Sequence, residues 1–372
     1  MIQADTLKPG WSWVKFGDVV RQVKDKVDPQ TSGLERYVAG EHMNTDDLRI
    51  RCWGEINEDY LGPAFNMRFK PGQVLYGSRR TYLRKVAVPH FEGICANTTF
   101  VLEPKDPNLL MPELLPFIMQ TEAFHEHSIK QSKGSVNPCV NFSDLAWWEC
   151  ALPPLEQQTK VALFIKATSA VYESHMNVFE SIEQLSKSFC KHIVESYPDH
   201  TLVNVGNIAK FTSGKQIRVT ELPQQPTGDA TIPVYGGNGI SGYTTVPLPN
   251  INGSTVVVGR VGQFCGATHL TKGAVWVTDN ALYPAQTDQS LDIRFLAICL
   301  KGLNLNRGKL GEYLPLITQK VVHEARIPSL SKQDQQVWIE QYIEINNSLI
   351  MARERLQGGR LLYQNILKSF FN

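Results

Sequence analysis

A long apolar seam that occurs twice constrains this chain more than any other feature. In the first copy, about residues 155–193, Ile165, Thr168, Tyr172, His175, Phe179, Ile182, Ser186, Phe189 and Ile193 recur at steps of three and four. In the second, about residues 336–370, Trp338, Tyr342, Ile345, Leu349, Ala352, Leu356, Gly359, Tyr363, Ile366 and Phe370 do the same. Alternating three–four spacing puts such side chains on one stripe of a helix. Each helix has roughly 35–40 residues and is about 50–60 Å long at 1.5 Å per residue. A helix of that length needs an equally long partner to cover its seam, and the other copy is the obvious one. Gly358-Gly359 costs about 1 kcal/mol per glycine against alanine. Either the helix kinks there, or Gly359 admits the partner's backbone or Ile182. Off the seam, Val161, Val171, Val178, Ile339, Ile350 and Leu367 are available to a further protein or to the globular domains.

Around these helices the sequence repeats itself. Residues 202–208 match 13–19, 255–259 match 73–77, and 278–281 stand where 95–98 stood. Residues 291–303 take the place of a helix read over 112–131 and interrupted near Pro116, and 326–330 mirror 151–155. Further strands are expected at 36–39, 49–53, 74–76, 86–88, 98–102 and 144–152. The period of roughly 175–190 residues marks a duplication, not a solenoid. The organisation is a domain over 1–152, a long helix over 153–198, a second domain over 199–328 and a second long helix over 329–372. Pro153-Pro154 opens the first helix, and Ser331 with Asp334 gives the second a capping-box-like start. The expected fold is α/β: two pseudo-twofold-related recognition domains joined by two long antiparallel coiled-coil helices.

Composition narrows the class. The chain has 372 residues, 42% hydrophobic and 20% charged, as in ordinary globular proteins. No apolar run is long enough to cross a bilayer, so no membrane partner is expected. Residues 1–13 lack the charged and apolar regions of a signal peptide. Seven cysteines without a CxxC pair argue against disulfide frameworks and zinc ribbons and for reduced thiols in a cytoplasm. Net charge is +1, yet two stretches are basic and free of acids. Residues 60–91 carry Arg68, Lys70, Arg79, Arg80, Arg84 and Lys85; residues 293–311 carry Arg294, Lys301, Arg307 and Lys309. Such stretches are the local footprint of a phosphate-backbone partner, or solvated loops balanced in space by acids elsewhere.

Catalytic signatures are weak. Residues 237–242 spell GxGxxG, but the β-branched, Pro-terminated segment after them cannot open the helix a dinucleotide site requires. A tight turn or a close backbone approach fits better. Asn137-Pro138-Cys139-Val140 is similar to the Asn-Pro-Pro-aromatic site of amino-methyltransferases, without the aromatic residue that stacks a flipped base. His125-Glu126-His127 has the wrong spacing for two metal ligands on one helical face, so surface histidines are expected. No P-loop and no GxSxG elbow occurs.

Taken together, the segments resemble the specificity subunit of type I restriction-modification systems. The carriers are residues 13–19, Tyr37-Val38-Ala39-Gly40-Glu41-His42, Pro71-Gly72-Gln73-Val74-Leu75-Tyr76-Gly77, Leu152-Pro153-Pro154-Leu155-Glu156-Gln157-Gln158 and the Gly-rich run 232–243. Their order over essentially the whole chain is more specific than any one of them. The entry at 155–158 is one residue shorter than usual in that family. The resemblance implies a non-catalytic subunit whose two domains each read half of a bipartite duplex DNA target. Its helices would set the gap and bind two adenine-methylating (M) subunits, joined by restriction (R) subunits. No cofactor of its own is implied; S-adenosylmethionine and ATP would be held by partner subunits. Rival readings are the DNA-reading subunit of a related methylation-only or type II complex, a coiled-coil protein scaffold that ignores DNA, and a nucleotide-dependent transferase.

Arginine reads guanine and Asn or Gln reads adenine in the major groove, while Lys and Arg hold phosphates. Candidates in the first domain are Arg79, Arg80, Tyr82, Arg84 and Lys85, with Lys130, Gln131 and Lys133 in the loop after the short helix. In the second they are Lys215, Arg218, Asn238, Tyr243, Arg260, Gln263, Arg307 and Lys309. Arg79 after Gly77 and Arg260 after Gly259 are read as equivalent.

Overall fold

The computed structural model describes residues 7–56, 61–305 and 316–371. The chain folds as two compact units, Met1–His175 with Leu356–Asn372, and Met176–Arg355. Two long helices, Leu155–Glu195 and Lys332–Phe371, each contribute to both.

The first unit opens with β1 (Ser12–Lys15), a helical turn at Phe16–Val19, and β2 (Val20–Val23). There follow β3 (Arg36–Val38), β4 (Gly54–Glu55), β5 (Phe65–Phe69), β6 (Val74–Gly77), β7 (Val86–Ala87), β8 (Gly93–Ala96) and β9 (Thr99–Pro104). Three short helices, Leu115–Ile118, Glu122–Gln131 and Phe142–Ala146, lead to β10 (Glu149–Leu152). One antiparallel sheet has the order β2-β9-β6-β7. A second has the order β4-β3-β8-β5, with β3 and β8 parallel. β1 closes on β10, so the ends of the domain meet beside the start of the first long helix. Val161, Ala162 and Ile165 of that helix and Tyr363, Leu367 and Phe371 of the second enter the same core as Tyr76, Phe124 and Trp148. Phe164 meets Phe370 at 5.9 Å and Tyr172 stacks on Tyr363 at 6.1 Å. Ascending numbers on one helix thus face descending numbers on the other.

The second unit repeats this plan. It contains β11 (Leu202–Asn204), a turn at Val205–Ile208, β12 (Ala209–Ser213), β13 (Ile232–Gly236), β14 (Gly239–Thr244), β15 (Val256–Gly259) and β16 (Thr268–Leu270). β17 (Trp276–Val277), β18 (Ala281–Thr287), helices Ile293–Leu303 and Gln319–Glu324, and β19 (Arg326–Pro328) complete it. The sheet β12-β18-β15-β16 matches β2-β9-β6-β7 strand for strand. In the other, β13 lies between antiparallel β14 and parallel β17, as β3 lies between β4 and β8. β11 closes on β19 as β1 closes on β10. Even a glycine contact recurs. A side chain at Gly17 would strike Ala146, and one at Gly206 would strike His323. Here too the helices run antiparallel: Phe189 packs on Trp338 and Tyr342, and the Arg353 guanidinium covers Phe179.

Among the seam residues, Ile165 is buried, and Tyr172, Phe179, Ile182, Phe189, Tyr342, Ile345, Leu349, Leu356 and Ile366 are half-buried. The second helix continues through Gly358-Gly359. Gly359 faces His175 and the Tyr172 backbone, not Ile182. Off the seam, Val161, Ile339 and Leu367 are buried in the domain cores, while Val171, Val178 and Ile350 are exposed.

Several local expectations fail for identifiable reasons. Residues 49–53 form no strand, because Asp47 Oδ1 accepts the Arg49 N–H at 3.0 Å and its Oδ2 accepts Arg51 Nε at 2.8 Å. That Asx-type turn competes with a ladder. The expected strand over 144–152 holds only from Glu149; before it, Asn141 with Asp144 three residues later starts a helical turn. The helix over 112–131 breaks at Gln120-Thr121, beyond Pro116, where Thr121 Oγ1 caps the Phe124 N–H at 3.3 Å. His125 is not a surface residue; it is fully buried beside Phe124.

Candidate nucleic-acid interface

In each unit a seven-residue loop leaves the glycine that ends a central strand. The loop after Gly77 returns where the Gly77 N–H donates to Lys85 O at 3.0 Å. The loop after Gly259 returns where the Gly259 N–H donates to Ala267 O at 2.8 Å. Inside, Leu83 N–H donates to Arg80 O, and Cys265 N–H to Gly262 O. Both loops take left-handed backbone at their third and seventh positions: Arg80 (φ 50°) and Arg84 (φ 53°) in one, Gly262 (φ 78°) and Gly266 (φ 84°) in the other. The fifth position of each presents an aromatic ring to solvent, Tyr82 at 50% exposure and Phe264 at 42%. Phe264 was absent from the sequence candidates. The signal that finds it is its distance of five residues from the strand-ending glycine, the same as Tyr82.

This register also corrects the expected pairing of Arg79 with Arg260. The Ser78 N–H donates to Thr98 O and the Arg260 N–H to Asn280 O, so Arg260 is the counterpart of Ser78. Arg79 corresponds to Val261; the two bridge Cys139 and Leu316 respectively.

The first unit gathers several candidates on one surface. Arg80 donates its N–H to Pro138 O and its Nε to Asn137 Oδ1, both at 2.7 Å. Lys133 and Cys139 exchange two backbone bonds, which fixes the segment between them as a hairpin-like finger beside Arg79. Thr81 Oγ1 and Ser132 Oγ, 2.6 Å apart, tie the loop to the end of the Glu122–Gln131 helix, where Lys130 is exposed and Gln131 half-buried. Arg79, Arg80, Tyr82 and Lys133 are exposed there, with Lys133 Nζ 3.6 Å from Asp144. Arg84 and Lys85 point elsewhere. Arg84 lies 2.6 Å from Glu122 and 3.1 Å from Asp46, as an internal strut. Lys85 Nζ donates to Gly40 O, and burial, assisted by Arg80, holds its ammonium below the usual lysine range.

In the second unit, Gly237-Asn238 is the two-residue turn between β13 and β14, so the GxGxxG run is a hairpin. That turn lies against the loop base. A side chain on Gly259 would meet Gly237 Cα at 3.1 Å and Phe264 O at 2.3 Å. Arg260 Nη1 reaches Ser213 Oγ at 3.4 Å and Asp279 O at 3.5 Å. Asn238 and Gln263 are exposed beside it, and exposed Lys215 joins through its N–H to Val277 O. Tyr243 and Arg218 are not brought to this cluster. Tyr243 lies at the opposite end of the hairpin, donating its N–H to Pro223 O, and Arg218 pairs with Glu221 at 3.1 Å. Arg307 and Lys309 lie outside the described residues. Among the described residues there is no cluster of His, Cys, Asp and Glu able to hold a metal ion. No helix there is long and apolar enough to cross a membrane.

No family model matches the chain. A solved S subunit of a type-I restriction-modification system from M. genitalium superposes with a TM-score of 0.60 at 16% identity, covering 100% of this chain and 98% of that one. This chain has the type I S-subunit fold. A second solved chain, from a structural study of complex assembly and conformational transition of the type I R-M system, gives a TM-score of 0.53 at 19% identity, with 97% of each chain covered. In sequence, the chain is 27% identical over 156 residues to the EcoDI specificity subunit of Escherichia coli, covering 41% of this chain and 33% of that protein. It is 26% identical over 131 residues to the EcoprrI specificity subunit of Escherichia coli, covering 35% and 32%. The matched stretches thus span about a third of the length of these curated S-subunit relatives.

Proposed function

We propose that the chain is the DNA-reading, non-catalytic specificity subunit of a cytoplasmic type I restriction-modification complex. Each unit reads one half of a bipartite duplex target. The two long helices set the unread gap and dock two adenine-methylating subunits, to which restriction subunits add. S-adenosylmethionine and ATP belong to those partners. The observation that carries this reading is the recurrence of one loop, at one strand end, in both units, among exposed Arg, Lys, Asn and Gln side chains. Two copies of a reading surface on one chain suit two half-sites, as the two protomers of a dimeric reader do. Similarity to specificity subunits supports the same conclusion.

Electrophoretic mobility of genomic fragments with the chain, alone and with a methylating subunit, tests it. A shift that depends on sequence is expected. Absence of any shift in both cases would favour a protein scaffold. Methylome sequencing of a host with and without the gene then identifies the two half-sites.

A further inference from the structure

We propose that Tyr82 and Phe264 are matched DNA-contacting rings, one for each half of the target, presented by the same loop in each unit. This rests on the DNA-reading function proposed above. A single exposed ring is ordinary on a protein surface, and Trp13 and Trp147 are exposed as well; what sets these two apart is their shared position. Here the same position is occupied by an exposed ring twice, in loops whose hydrogen bonds and left-handed positions agree residue by residue. Elsewhere the two loops differ: Arg79 against Val261, Arg80 against Gly262, Thr81 against Gln263. The aromatic character at the fifth position is shared while its neighbours are not.

Rigidity adds weight. Both rings stand on loops closed at the base by a backbone bond and crossed by a second one, so little ordering remains for binding. In the first unit the loop keeps arginines at φ 50° and 53°, where the second unit has glycines. Left-handed backbone is unfavourable for a residue that carries a Cβ. The conformation that presents the ring is thus kept even where the residue type opposes it. The surroundings indicate the partner's chemistry. Arg79 and Arg80 precede Tyr82, with Lys133 bridged to Cys139 as Arg79 is, and Arg260 and Gln263 precede Phe264; cationic and amide groups near an apolar ring suit phosphates around a base. Since Phe264 has no hydroxyl, the shared chemistry lies in the ring: contact with a thymine methyl or with a base face.

The test uses the chain assembled with its methylating subunits and duplexes carrying the target found by methylome sequencing. Tyr82→Ala and Phe264→Ala should each weaken specific binding about ten-fold, whereas Tyr82→Phe should bind within two-fold of the parent. Methylomes of hosts carrying each alanine variant should show relaxed base preference in one half only, and in opposite halves for the two. Thermal melting checks folding; both side chains are exposed, so unchanged midpoints are expected. If the parent assembly binds its target but both alanine variants bind and discriminate as it does, the rings have no such role, while the DNA-reading function stands. If the parent chain shifts no DNA with or without its partner, that function fails first. Loss with Tyr82→Phe equal to Tyr82→Ala would assign the contact to the hydroxyl and overturn the matched-ring proposal.

Discussion

His125 is fully buried, and neither ring nitrogen has a hydrogen-bond partner among the described residues. Burial, reinforced by the nearby Arg84 guanidinium, pushes its pKa down from 6.5 to about 3. In the unfolded chain the same imidazole takes up a proton near pH 6.5. Between these values the unfolded state binds more protons, so stability falls as pH drops from 6.5 toward 3, by up to about 1.4 kcal/mol per pH unit. Melting the parent and His125→Leu between pH 7.5 and 5 checks this; the variant should show a flatter pH dependence. The two kinds of arginine also separate. Arg84→Ala should cost about 2 kcal/mol of stability, because it strips Asp46 and Glu122 of a half-buried partner. Lys133→Ala should leave melting unchanged, weaken DNA binding and reduce the slope of log affinity against log salt by about one. Sequence alone ranks Arg84 and Lys133 alike, because both are cations in segments read as DNA-facing. Only packing shows that one is a strut and the other faces solvent.

At the scale of elements, two glycines in helices make opposite demands. In the Ile293–Leu303 helix, a side chain on Gly302 would lie 2.0 Å from Cys190 O of the first long helix, against rigid backbone. A side chain on Gly358 would meet no atom of the described residues within 4 Å beyond its own turn of helix. Gly302→Ala should therefore destabilise despite alanine's better helix propensity, by about 1–3 kcal/mol, the usual cost of overpacking. Gly358→Ala should stabilise by about 1 kcal/mol. Urea denaturation of both variants reads the signs directly. The long helices and the doubled strand order were legible because a three–four seam and a repeated segment order survive without knowledge of contacts. Residues 49–53 defeat the strand reading because Asp47 ties up the backbone two residues on, and residues 144–146 because a short helical turn, Phe142–Ala146, precedes the strand. The offset between Arg79 and Arg260 escaped because counting from a glycine does not reveal which amide the ladder pairs; Ser78 and Arg260 do that.

For the molecule as a whole, the proposed function makes each unit answerable for one half-site. Exchanging residues 201–330 for those of a relative should rewrite one half of the methylated motif and leave the other; rewriting of both would refute independent reading. Inserting seven residues in each long helix preserves the seam register and adds about 10 Å. The gap between half-sites should then grow by about three base pairs at 3.4 Å each, with neither half altered. Both outcomes are read from methylomes.

The paired loops carry one more implication. Gly77 and Gly259 anchor equal spans of backbone, closed by corresponding amide-to-carbonyl links, yet the side chains mounted on them differ almost throughout. On the proposed DNA-reading function such a frame is a cassette socket: residues 78–84 transplanted onto 260–266, with arginines replacing the glycines at the two left-handed positions, should carry their base preference to the other half-site, as read from the methylome.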